Sequence, residues 1–179
     1  MSAIDRCFAF AVFSCLSLPV SAWGADTPAP KIAAVMEFEL IDEMRDYERP
    51  EVKDAQNQRI GLISNALRQE LLQRGMYRLA DNSAASELIT DLKAQQDLRD
   101  CNGCEIEIGK ALGADVIIIG WVQKVSNLIL NINIEVKEVR SGRILYVKSV
   151  DLRSNSDYSW LRGIRYMVDS IEEKKQHLR

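Results

Sequence analysis

Apolar and polar residues alternate most regularly over residues 128–138, where every second position is apolar. A period of two places the apolar side chains on one face of a strand and the polar side chains on the other. The preceding run, residues 116–122, is almost entirely apolar and rich in β-branched residues, which is typical of a strand covered on both faces. Turn residues at 140–143 and a further apolar run at 144–152 predict that the last two strands form a hairpin.

Helical spacing of apolar residues predicts the elements around these strands. Residues 54–74 carry apolar residues every three or four positions, and Gly75 just beyond them is typical of a helix end. Three further helices are expected, over residues 83–95, 105–112 and 156–177. Two further strands are expected, over residues 31–40 and 76–80, with an acidic and polar loop at 42–53.

The resulting order of elements is β-α-β-α-α-β-β-β-α. Strands and helices alternate early in the chain, and an antiparallel meander follows. This order predicts an α/β (α+β) fold, in which a mixed sheet of about five strands has helices packed on it.

The first 24 residues have the pattern of a cleavable signal peptide. Arg6 supplies a positive charge near the start, and residues 8–20 form an apolar run that is short for a membrane span. The small residues Ala22 and Gly24 precede the expected cleavage site. We therefore expect residues 1–24 to be removed on export.

The expected domain organisation follows from this cleavage. Residues 25–30 would form a short tether and residues 31–179 a single domain in the periplasm. A buried N-terminal helix is one alternative. A lipoprotein signal at Cys15 is another, which the bulky Phe13 disfavours.

Composition and charge narrow the possible functions. The formal net charge of −3 is not the basic footprint of a nucleic-acid-binding protein. The single histidine, His177, argues against a histidine-rich metal site and against a histidine-dependent catalytic triad. No apolar run after the signal approaches membrane-spanning length. We therefore expect no nucleic acid, no transmembrane segment in the mature chain, no metal and no cofactor.

The cysteines point to an oxidised pair. Cys7 and Cys15 lie in the expected signal peptide, which leaves Cys101 and Cys104 in a Cys-Asn-Gly-Cys segment. In an oxidising compartment such a close pair favours a structural disulfide across a tight turn. A redox-active dithiol is the alternative, although the aromatic and proline context of thioredoxin-like motifs is missing. Haem attachment would require a histidine after Cys104, where Glu105 stands.

An acidic cluster and two aromatic residues are candidates for a partner surface. They are Glu37, Glu39, Asp42, Glu43, Tyr158 and Trp160. Nothing in the acidic segment indicates burial, so we favour the interpretation that these carboxylates lie in solvent on a strand edge and a loop. A site for a cation or a partner is the alternative. Core packing is the more common role of a residue such as Trp160. The chain has neither a Gly-x-Ser-x-Gly elbow nor a phosphate-binding loop, and we do not expect an enzyme.

Residues 112–120, Leu-Gly-Ala-Asp-Val-Ile-Ile-Ile-Gly, resemble a signature of bacterial envelope domains. These domains include the N-terminal domain of TolB, the curli secretion channel CsgG and LpoB, an activator of penicillin-binding proteins. Residues 67–71 and the turn at 138–144 match further short motifs in the same order. The whole chain also resembles a family of small secreted proteobacterial proteins without an assigned function. The Cys-Asn-Gly-Cys insert and the long terminal helix are departures from TolB and CsgG.

This resemblance implies a fold more specifically than a function, because the related domains share a scaffold and do different jobs. The expectation is an exported, non-enzymatic interaction module of the cell envelope that docks onto a partner protein. The alternative is an accessory factor of a periplasmic redox system that uses Cys101 and Cys104. A binder of a small ligand in a pocket beside the sheet is a third possibility. The oligomeric state is not predicted.

Overall fold

The computed structural model describes residues 29–177 of the 179-residue chain. The predicted signal peptide, with Cys7 and Cys15, lies outside the described residues. Its cleavage, and the choice between a free and a lipid-anchored protein, therefore stay predictions.

Six strands and four α-helices make up this part of the chain. The strands are β1 (Ile32–Val35), β2 (Glu39–Asp42), β3 (Arg78–Leu79), β4 (Val116–Lys124), β5 (Leu130–Glu138) and β6 (Ile144–Leu152). The helices are α1 (Pro50–Gln73), α2 (Ser86–Gln95), α3 (Cys104–Ala111) and α4 (Asp157–His177). The predicted α/β class is confirmed, with one strand more than expected.

All six strands belong to one mixed sheet. Its order is β3-β1-β4-β5-β6, and β2 also pairs with β4 beyond the end of β1. Both β1 and β2 run parallel to β4, whereas β5 is antiparallel to β4 and to β6. The central strand β4 therefore joins a parallel half of the sheet to an antiparallel half.

The extra strand arises because the predicted strand at residues 31–40 is interrupted. Met36 N still donates to Ile118 O at 2.9 Å, as a ladder bond would. Phe38 N instead donates to Ser64 Oγ of helix α1 at 3.0 Å. This side-chain acceptor takes the place of the ladder, and β2 resumes the pairing with β4 at Glu39.

Helices cover the two faces of the sheet unequally. On one face α1 and α4 pack over the larger core, to which they contribute Leu67 and Trp160 among others. On the other face α2 and α3 form a smaller core with β1 and β4, around Ile108 and Ile117. Farther across that second face, β5 carries the half-buried polar residues Asn131, Asn133 and Glu135, as its alternation predicted.

Three predicted boundaries are wrong, each for a local reason. Helix α1 begins at Pro50 and not at residue 54, because the first turn of a helix accommodates a residue without an N–H. The helix predicted over residues 83–95 is α-helical only from Ser86, because residues 82–85 form a 3-10 turn that Asp81 caps by accepting from Ser83 N at 3.0 Å. Strand β5 begins at Leu130, and Leu128 belongs to the preceding hairpin loop.

Candidate functional site

Three loops meet at the end of the sheet where β2 and β4 finish and β5 begins. They comprise residues 43–49, 125–129 and 153–156. Asn155 Nδ2 donates to Asn127 Oδ1 at 3.1 Å, which joins the third loop to the second. Arg59 of helix α1 donates to Asn155 Oδ1 at 3.2 Å and forms an ion pair with Asp157 at 2.7 Å. These contacts tie the second and third loops to helix α1, and the pairing of β2 with β4 brings the first loop to the same end of the sheet. We term this end of the molecule the loop end.

A buried ion cluster supports the loop end. Lys124 Nζ donates to Asp42 Oδ2 at 2.8 Å and also to Glu48. The side chains of Lys124 and Asp42 are almost completely buried. Burial lowers the pKa of Lys124, but its hydrogen bonds to the two carboxylates outweigh burial and hold that pKa above its ordinary value. The cluster thereby ties the last residues of β2 and β4 to the loop at 43–49.

Large apolar side chains project from the loop end into solvent. They are Met44, Tyr47, Val125, Leu128, Ile129 and Tyr158, and we term them the loop-end surface. Each is between 53% and 83% exposed. Single exposed apolar residues are ordinary on a protein surface, whereas a group at one end is typical of an interaction site.

Of the six residues of this surface, only Tyr158 is among those predicted from the sequence as candidates for a partner surface. The prediction that Leu128 lies on the buried face of a strand is wrong, because the residue is 75% exposed and lies in the loop before β5. Composition offered one signal that could have found the site. A hairpin loop is expected to be polar, yet residues 125–129 read Val-Ser-Asn-Leu-Ile.

The four acidic residues predicted for a partner surface do not come together in one cluster. Glu37 and Glu43 are exposed, whereas Asp42 is buried against Lys124. The side chain of Glu39 is 11% exposed, and its Oε1 accepts from Leu98 N at 3.0 Å. Burial raises the pKa of Glu39, an effect that this hydrogen bond partly offsets. Only Glu43 lies in one of the three loops that form the loop end.

The two candidate aromatic residues also separate. Tyr158 is 69% exposed and belongs to the loop-end surface. Trp160 is fully buried in the core beneath α4. Residues two positions apart on a helix do not share a face, so the side chain of Trp160 does not contribute to a surface.

Cys101 and Cys104 are joined by a disulfide, with Cα atoms 5.6 Å apart. Cys104 is the first residue of α3, and its N–H donates to Cys101 Sγ at 3.1 Å. Gly103 between them has φ of 109°, a conformation that glycine adopts without steric cost. Cys101 is buried, and Gln96 Nε2 donates to Cys104 Sγ at 3.4 Å. The bridge therefore ties the segment after α2 to the first turn of α3.

The described residues contain neither a candidate metal site nor a candidate membrane span. No group of three or more histidine, cysteine, aspartate or glutamate residues among them could hold a metal ion. Within residues 29–177, no helix combines the length and the apolar character needed to cross a membrane.

Comparison with protein families gives one match. Residues 31–171 match the model of the family DUF3280, described as "Protein of unknown function (DUF2380)". No curated protein matches the chain in sequence.

Several solved structures resemble this chain. The C-terminal domain of LpoB from Salmonella enterica has a TM-score of 0.50 and 14% identity, over 73% of this chain and 87% of that one. LpoB from E. coli has a TM-score of 0.50 and 15% identity, over 71% of this chain and 58% of that one. TolB from Acinetobacter baumannii has a TM-score of 0.46 and 12% identity, over 82% of this chain and 28% of that one. At these identities the two LpoB structures show the fold, and the predicted LpoB-like domain pattern is confirmed.

Proposed function

We propose that this chain, which belongs to the DUF3280 family of proteins of unknown function, is an interaction module of the cell envelope that docks onto a partner protein. The loop-end surface is the observation that carries the proposal. Five of its six apolar side chains come from the loops at 43–49 and 125–129 and the sixth, Tyr158, from the first turn of α4, and all are more than half exposed. Covering such side chains removes apolar area from water, which is the main favourable term in most protein–protein association.

The local structure suits a docking surface. The hairpin loop contributes three aliphatic side chains, and its Asn127 is fixed by the hydrogen bond to Asn155. The adjoining loop at 43–49 is held by the ion pair of Lys124 with Glu48. Anchored loops lose less conformational freedom on binding than free loops do, so more of the apolar burial contributes to affinity.

The envelope location rests on two independent supports. Residues 1–24 have the signal-peptide pattern, and the fold of the described residues is like that of LpoB. We infer that the chain is exported to the periplasm and cleaved before Ala25. N-terminal sequencing of the protein purified after expression of the full chain is expected to begin at Ala25. A sequence that begins at residue 1 contradicts cleavage, and a lipid-modified Cys15 at the amino terminus supports the lipoprotein alternative.

We also infer that the module acts by binding and not by catalysis. The acidic residues that could have formed an acid–base pair lie in different environments, with Asp42 neutralised by Lys124 and Glu37 exposed. The Cys101–Cys104 bridge packs against the start of α3 with Cys101 buried, which favours a structural role over thiol exchange.

A size measurement on the native complex tests the docking proposal. The triple variant Val125→Gln, Leu128→Gln, Ile129→Gln removes most of the apolar character of the hairpin loop without adding charge. We expect the wild-type protein, extracted from its envelope fraction, to sediment as a complex larger than itself, and the variant to sediment alone. The matched control, Leu72→Gln with Val147→Gln, changes two exposed apolar residues outside the loop end and should leave the complex intact. Equal sedimentation of the loop variant and wild type contradicts docking at this surface.

A further inference from the structure

A cleft of about 870 Å³ lies at the end of the sheet opposite the loop end. It opens between the start of β6 and the last turns of α4, and residues 29–31 border it. Val116, Val136, Met76 and Ile171 give it an apolar interior. Its volume falls within the range of roughly 300–1,000 Å³ that is typical of small-molecule sites.

The charged residues of this cleft all have the same sign. Lys31, Arg143, Lys174 and Lys175 line it, and none of the described lining residues is acidic. Glu138, which lies outside the lining, interacts electrostatically with Arg143 and Lys31. The described residues that line the cleft therefore carry a net positive charge, in a chain whose overall formal charge is −3.

Two of the cations are held in place against tyrosine rings. Lys174 Nζ lies 5.3 Å from the centre of the Tyr146 ring and donates to Leu145 O at 3.1 Å. Lys175 Nζ lies 3.9 Å from the centre of the Tyr77 ring and donates to Met76 O at 2.6 Å. Cation–π contacts of this kind fix the position of an ammonium group while its aliphatic stem covers apolar surface.

Tyr146 adds a second observation that points to a ligand. Its hydroxyl oxygen is buried and has no hydrogen-bond partner among the described residues. Buried hydroxyl groups are nearly always hydrogen-bonded in folded proteins. Tyr146 is one of the residues that line the cleft, and a tyrosine hydroxyl can donate a hydrogen bond to an anionic oxygen.

We propose that this cleft binds an anionic amphiphile, with one acyl chain in the apolar interior and a carboxylate or phosphate headgroup at the cationic residues. The apolar interior requires an apolar ligand, and the four cations require that its exposed end be negative. The site lies at the other end of the molecule from the loop-end surface, so it does not depend on the proposed docking.

Calorimetric titration of the purified protein, expressed from its full chain, tests the proposal with three lipids. Palmitate carries a carboxylate, lysophosphatidylglycerol carries a phosphate, and 1-palmitoylglycerol carries an acyl chain without a charge. We expect saturable binding of one molecule of at least one anionic lipid per chain, and binding of the uncharged lipid that is at least about tenfold weaker. Tighter binding of palmitate indicates a carboxylate headgroup, and tighter binding of lysophosphatidylglycerol indicates a phosphate headgroup.

Charge reversal separates a built site from nonspecific lipid uptake. The variant Lys31→Glu with Arg143→Glu changes two exposed residues of the cleft and should weaken binding of the anionic lipid at least about tenfold. The control Lys110→Glu with Arg162→Glu makes the same change in net charge at exposed residues outside the cleft, and it should change binding less than about twofold.

Three results would overturn the proposal. Absence of binding by both anionic lipids excludes them as occupants and favours a segment of this chain or a second copy as the group that covers the cleft. Equal affinity for the uncharged lipid shows that the cations do not recognise the ligand. If the cleft variant and its control weaken binding of the anionic lipid equally, the affinity depends on the overall charge of the protein and not on the cleft.

Discussion

The ring of Phe38 occupies the space that a side chain at position 120 would need. A Cβ atom built on Gly120 would lie 2.4 Å from Phe38 Cε1 and 2.7 Å from two further ring atoms. Strand β4 can therefore pass beneath this ring only with glycine at that position. The final glycine of the Leu-Gly-Ala-Asp signature thus has a packing role in this chain.

Gly120→Ala is expected to lower the free energy of unfolding by about 1–3 kcal/mol, because the added methyl group overpacks a buried contact. Chemical denaturation measures this loss. In a Phe38→Leu background the same substitution should cost much less, since the ring atoms are gone. Gly61→Ala is the matched control: no atom lies within 4 Å of its Cβ position in α1, and it should stabilise the helix by about 0.5–1 kcal/mol. Equal effects of Gly120→Ala in both backgrounds would contradict the proposed contact.

Glu39 gives a pH-dependent prediction. Burial raises the pKa of its carboxyl, so the folded protein holds the proton more tightly than the unfolded chain does. This group therefore favours folding at low pH, and its contribution becomes unfavourable as the pH rises through the unfolded-state value of about 4.3 and then through the folded pKa. Glu39→Gln keeps an oxygen that can accept from Leu98 N and removes the charge.

We expect Glu39→Gln to raise the free energy of unfolding at pH 7 and to have a smaller effect at about pH 4. Denaturation at the two pH values measures the difference. Glu37→Gln, at an exposed neighbour, should leave stability nearly unchanged at both. A stabilising effect of Glu39→Gln that is larger at the lower pH would show that the carboxyl is not desolvated.

At the scale of elements, the disulfide fastens a short connection. The segment between α2 and α3 has no strand or helix of its own, and the Cys101–Cys104 bridge fixes its end to the first turn of α3. The double variant Cys101→Ser, Cys104→Ser is expected to lose about 2 kcal/mol of unfolding free energy, as loop-closure entropy predicts for so short a loop. Hydrogen exchange should increase mainly around α3.

The same double variant separates a structural bridge from a redox role. If the bridge is structural, the variant should still form the native complex at a temperature where it is folded. Loss of the complex in a protein that remains folded would instead support the thiol mechanism.

The sequence predicts elements well where one local pattern determines them. The alternation in β5 and the β-branched run in β4 each correspond to one strand, because burial on one or two faces dictates which residues are apolar. The interruption between β1 and β2 was not predictable in this way. It depends on Ser64, which is remote in sequence and reaches Phe38 N only after α1 has packed on the sheet.

The candidate site was less predictable than the fold. An apolar residue near a strand end has the same sequence pattern whether it is buried or exposed. Leu128 is exposed because β5 begins only at Leu130, a boundary that the pattern does not show. Trp160 and Tyr158 illustrate the same problem on α4, where the turn of the helix places one in the core and the other in solvent. Tertiary packing thus selects which apolar residues form the surface.

At the scale of the whole molecule, β4 spans two ends with different chemistry. Val116, its first residue, lines the cationic cleft, and Lys124, its last residue, belongs to the ion cluster beneath the loop end. A protein partner at one end and an amphiphile at the other would share no residue. We therefore expect Lys31→Glu with Arg143→Glu to leave the native complex intact, which the sedimentation measurement checks directly.

Photo-crosslinking in living cells tests the docking claim most directly. A photoreactive amino acid at position 128 places the probe within the loop-end surface, and one at position 72 places it on the exposed side of α1 as a control. Docking at this surface should give a single protein adduct of defined mass from position 128, reduced when Val125 and Ile129 are changed to glutamine, and no such adduct from position 72. The same adducts from both positions, or none from position 128, would contradict it.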